Sequence, residues 1–296
     1  MLLRSAPVTA SRALLLTGTL AAALTVTGCA TTSAGHAVKA ATNSSGASSA
    51  TGSASPSAAG TAAGTAAGST SVGKISDGAS LAATLQAAGN SLTSVHSVTD
   101  VHLSAGTTVE SSSDEKLADG TLSAAIIDES VGGVPVKLVL VGSQMYAKLP
   151  QSMVQTSASK PWVHITATSG NQIVRALNSS LASAVDQGGL NSALSYANAA
   201  TKVHVVGVEN VNGVQATHVS AVIDASMLPS ETARQLTQLG VTTFPTDFWL
   251  GSDGHLLKVT QSLTLKGKVT TTTTTFSKFN APVTITAPTA DQITPT

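Results

Sequence analysis

The sequence predicts an α+β domain in which helices interrupt a long antiparallel meander, and three observations predict it. Short runs rich in β-branched and apolar residues recur between residues 95 and 279, with turn dipeptides between them. Helical periodicity is confined to a few windows. The aromatic residues, only 3% of the 296, all lie after residue 145, while the first quarter is built from Ala, Ser, Thr and Gly, so the chain is not uniform along its length.

Taken in order, the first element is an export signal. Arg4 and Arg12 are the only charges before Lys39, and Ala13 to Val26 is a run of small and apolar residues. The run is shorter than the roughly 20 residues a bilayer-spanning helix needs. A positive start followed by a short apolar run reads as a signal peptide over residues 1–28. Val26-Thr27-Gly28-Cys29 then resembles the lipobox of bacterial lipoproteins, and Cys29 is the single cysteine of the chain. It stands between an apolar run and a low-complexity tract, where no core exists to bury a thiol. The expectation is lipid attachment at Cys29, with acyl chains such as palmitate on the thiol-linked glyceryl group and, after cleavage, on the new amine. Two or more chains hold a protein at a membrane firmly, where one holds it marginally. The expected address is the extracytoplasmic face of the cell membrane, within the envelope.

Residues 29–74 form a tether. Between Ala30 and Gly73 the chain is almost entirely Ala, Thr, Ser and Gly, including Gly60-Thr-Ala-Ala-Gly64-Thr-Ala-Ala-Gly68. Such a segment buries too little apolar surface to offset its ordering entropy. Its root-mean-square reach is roughly 35 Å.

The domain itself is placed at residues 75–287. Leu81, Leu85, Ala88 and Leu92 share one helical face, with Asp77 as N-cap. Strands follow at Val95–Leu103, Thr107–Lys116, Thr121–Glu129, Val134–Val141, Met145–Leu149 and Trp162–Thr166, punctuated by Asp119-Gly120 and Gly132-Gly133. Ile173, Leu177, Leu181, Ala184 and Val185 share a helical face that Gly188-Gly189 ends; Leu190, Ala193, Leu194 and Ala197 begin another. Strands resume at Lys202–Glu209, Val214–Asp224, Thr243–Gly251, His255–Leu265 and Lys268–Phe279, with a short helix at Ser230–Leu239. Residues 288–296, with Pro288 and Pro295, read as a loose tail.

Composition and motifs exclude several functions. Fifteen basic and fifteen acidic residues cancel, and only 10% of the chain is charged, so a nucleic-acid partner is not expected. Ser157-Ala158-Ser159-Lys160 matches S-x-x-K, but Pro161 pushes Lys160 out of helical conformation, and the partner motifs of that chemistry are missing. His164, His204, His218 and His255 stand singly on strands, and His96 and His102 are too far apart along one strand to share an ion. Asp114-Glu115 and Asp128-Glu129 put their carboxyls on opposite faces of a strand. The expectation is therefore no catalytic residue, no metal, no cofactor and no enzyme. What the pattern favours is an apolar interior between helices and sheet, because Val203–Val208, Val136–Val141 and His255–Val259 carry apolar residues on both faces.

The order of segments resembles the LppX/LprAFG family of actinobacterial lipoproteins. The resemblance is carried by the lipobox, the tether, Ser94-Val95-His96-Ser97-Val98, Pro161-Trp162-Val163-His164-Ile165, Val211-Asn212-Gly213-Val214-Gln215-Ala216-Thr217-His218-Val219, and Phe248-Trp249-Leu250-Gly251-Ser252-Asp253-Gly254-His255-Leu256. It implies a curved antiparallel sheet, a half-barrel of the lipoprotein-carrier type, whose concave face is covered by helices over an apolar cavity. It further implies a lipid or glycolipid ligand, carried through the envelope by a monomer. Candidate lining positions are Val101, Leu103, Leu138, Leu140, Val219 and Ile223. The Ala- and Thr-rich interior departs from that pattern and predicts a small or collapsed cavity. The alternative is an envelope protein-interaction module with a filled core, supported by the Thr-rich final strand, Thr270–Thr275, read as an open sheet edge.

Overall fold

The computed structural model describes residues 74–294 apart from 104–105, 119, 132–133, 149–159, 167, 169–173, 175–177 and 179–188. The signal peptide, Cys29, the tether, most of the helix expected around residues 173–185 and the serines of the S-x-x-K motif lie outside the described residues.

Helix α1 (Gly78–Gly89) starts where the sequence places it. The Asp77 carboxylate accepts from the Ser80 backbone N–H at 2.8 Å, and the Ser80 hydroxyl accepts from the Asp77 backbone N–H at 3.2 Å. This reciprocal pair satisfies two of the backbone donors a helix start leaves open. Leu81, Ala82, Leu85 and Ala88 form its buried stripe. Strands β1 (Ser94–His102), β2 (Thr108–Ala118), β3 (Thr121–Val131), β4 (Val134–Val141), β5 (Gln144–Lys148) and β6 (Trp162–Ile165) form a first meander. After α2 (Gly189–Asn198), β7 (Ala200–Val211) and β8 (Val214–Asp224) make a long hairpin turned at Asn212-Gly213, both at positive φ. Helix α3 (Ser230–Gln238) precedes β9 (Thr243–Gly251), β10 (Leu256–Leu265) and β11 (Lys268–Ser277), and the chain closes with β12 (Ile293–Thr294).

These strands form one open, curved sheet in the order β12-β6-β5-β4-β3-β2-β1-β11-β10-β9-β8-β7. Every neighbouring pair is antiparallel except β12 with β6, which is parallel. Each meander runs in chain order, and the two are joined where β1, the start of the first, pairs with β11, the end of the second. Directly opposed residues on paired strands point to the same face, so the registers sort the side chains into two faces. One face carries α1, α2 and α3 through a cluster containing Leu81, Leu85, Ala197, Leu236, Val219, Phe248 and Val259. Close approach fixes the start of α1: a Cβ on Gly78 would lie 2.5 Å from the Ala200 carbonyl oxygen and 2.8 Å from that of Ala197.

Three expectations need correction. The Thr270–Thr275 run is no sheet edge: β11 is paired on both sides, with β10 along Lys268–Thr275 and with β1 along Thr271–Ser277. Of Val203–Val208 only Val203 packs against the interior. The run lies on the edge strand β7, where Val205, Val206 and Val208 are 48%, 51% and 68% exposed. The segment expected to be a loose tail is docked, with Ile293 opposite Trp162, Thr294 opposite Val163, and the Thr294 hydroxyl donating to the Lys160 carbonyl at 3.1 Å.

Candidate functional site, the helix-packed face of the sheet

The helix-packed face is divided by its chemistry. On one side, β8, β9 and β10 supply Val219, Ala221, Ile223, Phe244, Phe248, Leu250 and Val259 to the large apolar cluster beneath the helices. On the other, β4, β5 and β6 supply Val136, Leu138, Ala147, Val163 and Ile165 to a smaller cluster that also takes in the helical residue Val174. Between them the face is polar. One cross-strand row runs Thr246, Gln261, Thr272, Val101 over β9, β10, β11 and β1. The next runs Thr274, Thr99, Ser111, Glu129 over β11, β1, β2 and β3, and the one beyond it pairs Ser97 with Ser113.

Most of these polar groups are buried, as Ser97, Ser111, Glu129, Thr246, Gln261, Thr270 and Thr272 all are. Several satisfy one another. The Ser97 and Ser113 hydroxyls are 2.8 Å apart, those of Thr99 and Thr274 2.9 Å, and the Ser113 hydroxyl donates to Glu115 at 2.9 Å. Tyr196 of α2 is hydrogen-bonded through its hydroxyl to Gln261 and Ser192. The hydroxyl oxygens of Thr246 and Thr272, on either side of Gln261, have no hydrogen-bond partner among the described residues. Burial pushes the Glu115 carboxyl above the usual carboxylate range, and the Ser113 hydroxyl only partly opposes this. Gly189, at φ +57°, starts α2 directly over that carboxylate; a Cβ there would lie 3.0 Å from Glu115 Oε1.

The helices are lightly fastened to this face. α2 buries only Ala193, Tyr196 and Ala197. Between α1, α2 and the β2–β3 turn lies a small cleft of about 40 Å³, lined by Leu85, Leu117, Leu190 and Leu194 among others. One water needs about 10–15 Å³ by that measure, so the cleft has room for a few waters and not for an acyl chain.

Of the positions singled out in the sequence, Val219 and Ile223 lie in the large cluster and Leu138 in the small one. Leu140, opposite Ala125 and Met145, shares the face of Leu138. Val101 is fully buried in the polar row beside Thr272. Leu103 follows the last residue of β1, half-buried, its N–H donating to the Thr107 carbonyl at 2.9 Å.

Sequence reasoning missed a cluster on the opposite face. His218 faces two carboxylates, with Nδ1 2.7 Å from Glu209 and Nε2 3.1 Å from Asp247. Its ring stacks on Trp249 at 4.4 Å, and Lys258 Nζ lies 3.9 Å from the centroid of the same indole. The indole N–H donates to Glu209 at 2.8 Å, and this bond, ahead of that to His218, holds the Glu209 carboxyl below the usual range. The register alone assembles it, since His218, Trp249 and Lys258 are directly opposed on β8, β9 and β10. Among the described residues no group of three or more His, Cys, Asp or Glu side chains converges to hold a metal ion. Likewise no helix among them is long and apolar enough to cross a membrane.

No protein-family model and no curated protein sequence matches the chain. Solved structures do. The chain is similar to the mycobacterial lipoproteins LppX and LprF. LppX from Mycobacterium tuberculosis is 20% identical, over 70% of this chain and 99% of its own, with a TM-score of 0.44. LprF from Mycobacterium bovis is 18% identical, over 71% and 96%, with a TM-score of 0.45. A LolA superfamily protein from Nitrosomonas europaea is 9% identical, over 70% and 94%, with a TM-score of 0.27.

Proposed function

We propose that this chain is an exported lipoprotein, anchored through Cys29 at the extracytoplasmic face of the cell membrane, that holds a lipid or glycolipid between its sheet and its helices and carries it within the envelope. The observation that carries the reading is the helix-packed face itself: apolar clusters built on one face of an open sheet, roofed by short helices that bury few large side chains. The reading places the helices on the concave side. Separating α2 from the sheet costs little apolar burial, and the small cleft beside it is where a chain end would enter. Affinity then comes from burial, at about 0.8 kcal/mol for each methylene removed from water. No covalent step is required, and the protein acts as a carrier and not as a catalyst, with no cofactor.

The experiment is uptake of a fluorescent fatty acid by the exported chain and by Leu138→Phe and Leu140→Phe variants. Both residues are buried on the helix-packed face. The added volume is expected to lower uptake several-fold while circular dichroism stays that of the parent; unchanged uptake in folded variants contradicts this placement of the ligand.

A second reading, an envelope protein-interaction module, loses its support at Thr270–Thr275 and regains some at β7. That edge strand is twelve residues long and shows Val206 and Val208 to solvent. Register shifts between Thr201 and His204 and between Val205 and Gly207 interrupt it. Such irregularities blunt an edge against a partner strand, so the carrier reading stands first.

A further inference from the structure

Two exposed apolar side chains and a group of lysines without counter-ions gather at one end of the sheet. The strand pairings define that end. β7 begins at Ala200 opposite Ile223, β9 begins at Thr243 opposite Asp224, and β10, antiparallel to β9, runs out to Leu265 and turns back into β11 at Lys268. Helix α1 starts there too, with Gly78 packed against the Ala200 carbonyl. The β10–β11 turn has Lys266 and Gly267 at positive φ, as a two-residue hairpin turn requires. It holds Lys266 and Lys268 exposed at the tip, with Val269 beside them 51% exposed. Met227, 57% exposed, ends the short 3-10 turn Ala225–Met227 that follows β8. Lys74 and Lys202 are exposed at the same end. None of these four lysines makes an ion pair among the described residues. The acids of α1, α3 and the 3-10 turn are already engaged: Asp77 by the Ser80 N–H, Asp224 by the Ser226 N–H and hydroxyl, and Glu231 by Arg234. Asp100 and Glu110 stand back from the ends of β1 and β2, on the face away from the helices. In a chain whose fifteen basic and fifteen acidic residues cancel, the turn and the strand ends around it carry a local excess of positive charge.

From this placement we infer that this end of the domain is a membrane-docking rim, in which Val269 and Met227 enter the headgroup region of a bilayer and the lysines meet the phosphates of anionic lipids. The inference rests on the anchored-carrier reading above and names the surface by which that carrier meets its membrane. Charge complementarity favours a bilayer as the occupant. Lysine lays its apolar stem along an apolar surface while its ammonium stays in water, and near an anionic leaflet each such charge adds an attraction that salt screens. The position of the anchor favours the same occupant. Lys74 is where the segment carrying Cys29 joins the described domain, so an anchor at Cys29 is connected at this end and not at the end that holds the Asn212-Gly213 turn.

The test uses the mature chain, residues 29–296 with Cys29→Ser, exported behind a cleavable signal peptide, so that neither acyl groups nor a signal sequence hold it to lipid. Partition is measured by cosedimentation with phosphatidylcholine vesicles and with mixed phosphatidylcholine–phosphatidylglycerol vesicles. Binding to the mixed vesicles alone, released by salt, is the expected result. In a Lys266→Asn/Lys268→Gln variant, where asparagine suits the positive φ of the turn, partition onto mixed vesicles is expected to fall about 25-fold, from the roughly fivefold that one lysine contributes near an anionic surface. Cys29 is the only cysteine of the chain, so a cysteine introduced into the Cys29→Ser protein is labelled alone. A nitrobenzoxadiazole label on Val269→Cys should brighten on mixed vesicles, and one on Val214→Cys, at the opposite end of the sheet, should not. The labels need no lysine variant, so a misfolded double variant still leaves the claim decided. Equal partition on both kinds of vesicle, no loss in the folded double variant, or a label at position 214 that brightens as much as one at 269 overturns the inference. Uptake of the fluorescent fatty acid is read on the same protein. Uptake without vesicle binding overturns the rim and leaves the carrier reading in place; vesicle binding of the expected pattern without uptake upholds the rim and contradicts the carrier reading.

Discussion

Glu115 shows how a single residue reports on the interior. Its carboxyl is pushed above the ordinary range by burial beneath the first residue of α2. A carboxyl raised in the folded state costs nothing below the unfolded pKa, where both states bind the proton, and destabilises increasingly as pH rises through the folded value. Glu115→Gln is therefore expected to be more stable than the parent at pH 7 and no different near pH 4, as read from urea midpoints at the two pH values. Equal midpoints at pH 7 would place the carboxylate in water. Glu209 on the opposite face has the reverse sign, because the indole of Trp249 and the ring of His218 favour its ionised form. Its contribution is present above the unfolded pKa and is lost as pH falls through the lower folded value. In a Trp162→Phe background, Trp249 emission should show a transition below about pH 4.5, and Glu209→Gln should abolish that transition. The sequence made legible that His164 and His204 lie on strands, while His255 lies just before β10, its Nδ1 2.7 Å from Asp253. The sandwich of His218, Trp249 and Lys258 was not legible, because it exists only through registers of strands that no local pattern specifies.

Elements were the most legible scale wherever one face is apolar. Val134–Val141, Val214–Asp224 and Thr243–Gly251 have the bounds that alternation and turn residues give them. Faces were illegible where both sides of a strand have similar chemistry. In β2, Ser111, Ser113 and Glu115 face the helices while Ser112 and Asp114 face away, and no hydrophobic contrast marks the difference. In β11 a run of six threonines hides both the face and the central position of the strand. The register shift between Leu256 and Lys258 has the same effect on β10, turning Leu256 into one cluster and Leu257 into another. The α1 start is a packing constraint that sequence reading passed over. Gly78→Ala is expected to cost about 1–3 kcal/mol of unfolding free energy, because the new methyl would meet backbone carbonyls that cannot swing aside. Chemical denaturation checks it, and a loss below about 0.5 kcal/mol would mean α1 shifts freely.

At the scale of the whole molecule, two meanders share one sheet because β11 returns to pair with β1. That return closes the middle of the sheet and, among the described residues, puts its edges at β7 and β12. It also sets the polar strands β11, β1 and β2 at the centre and the apolar strands on both sides. The central claim is that a lipid or glycolipid occupies the space between sheet and helices. The most direct test is native mass spectrometry of the full-length chain carrying Cys29→Ser, exported from an actinobacterial host and measured before and after organic extraction. The account predicts a discrete mass excess that extraction removes and that defines the lipid class; a bare polypeptide mass, together with no saturable uptake of added lipid, would contradict it.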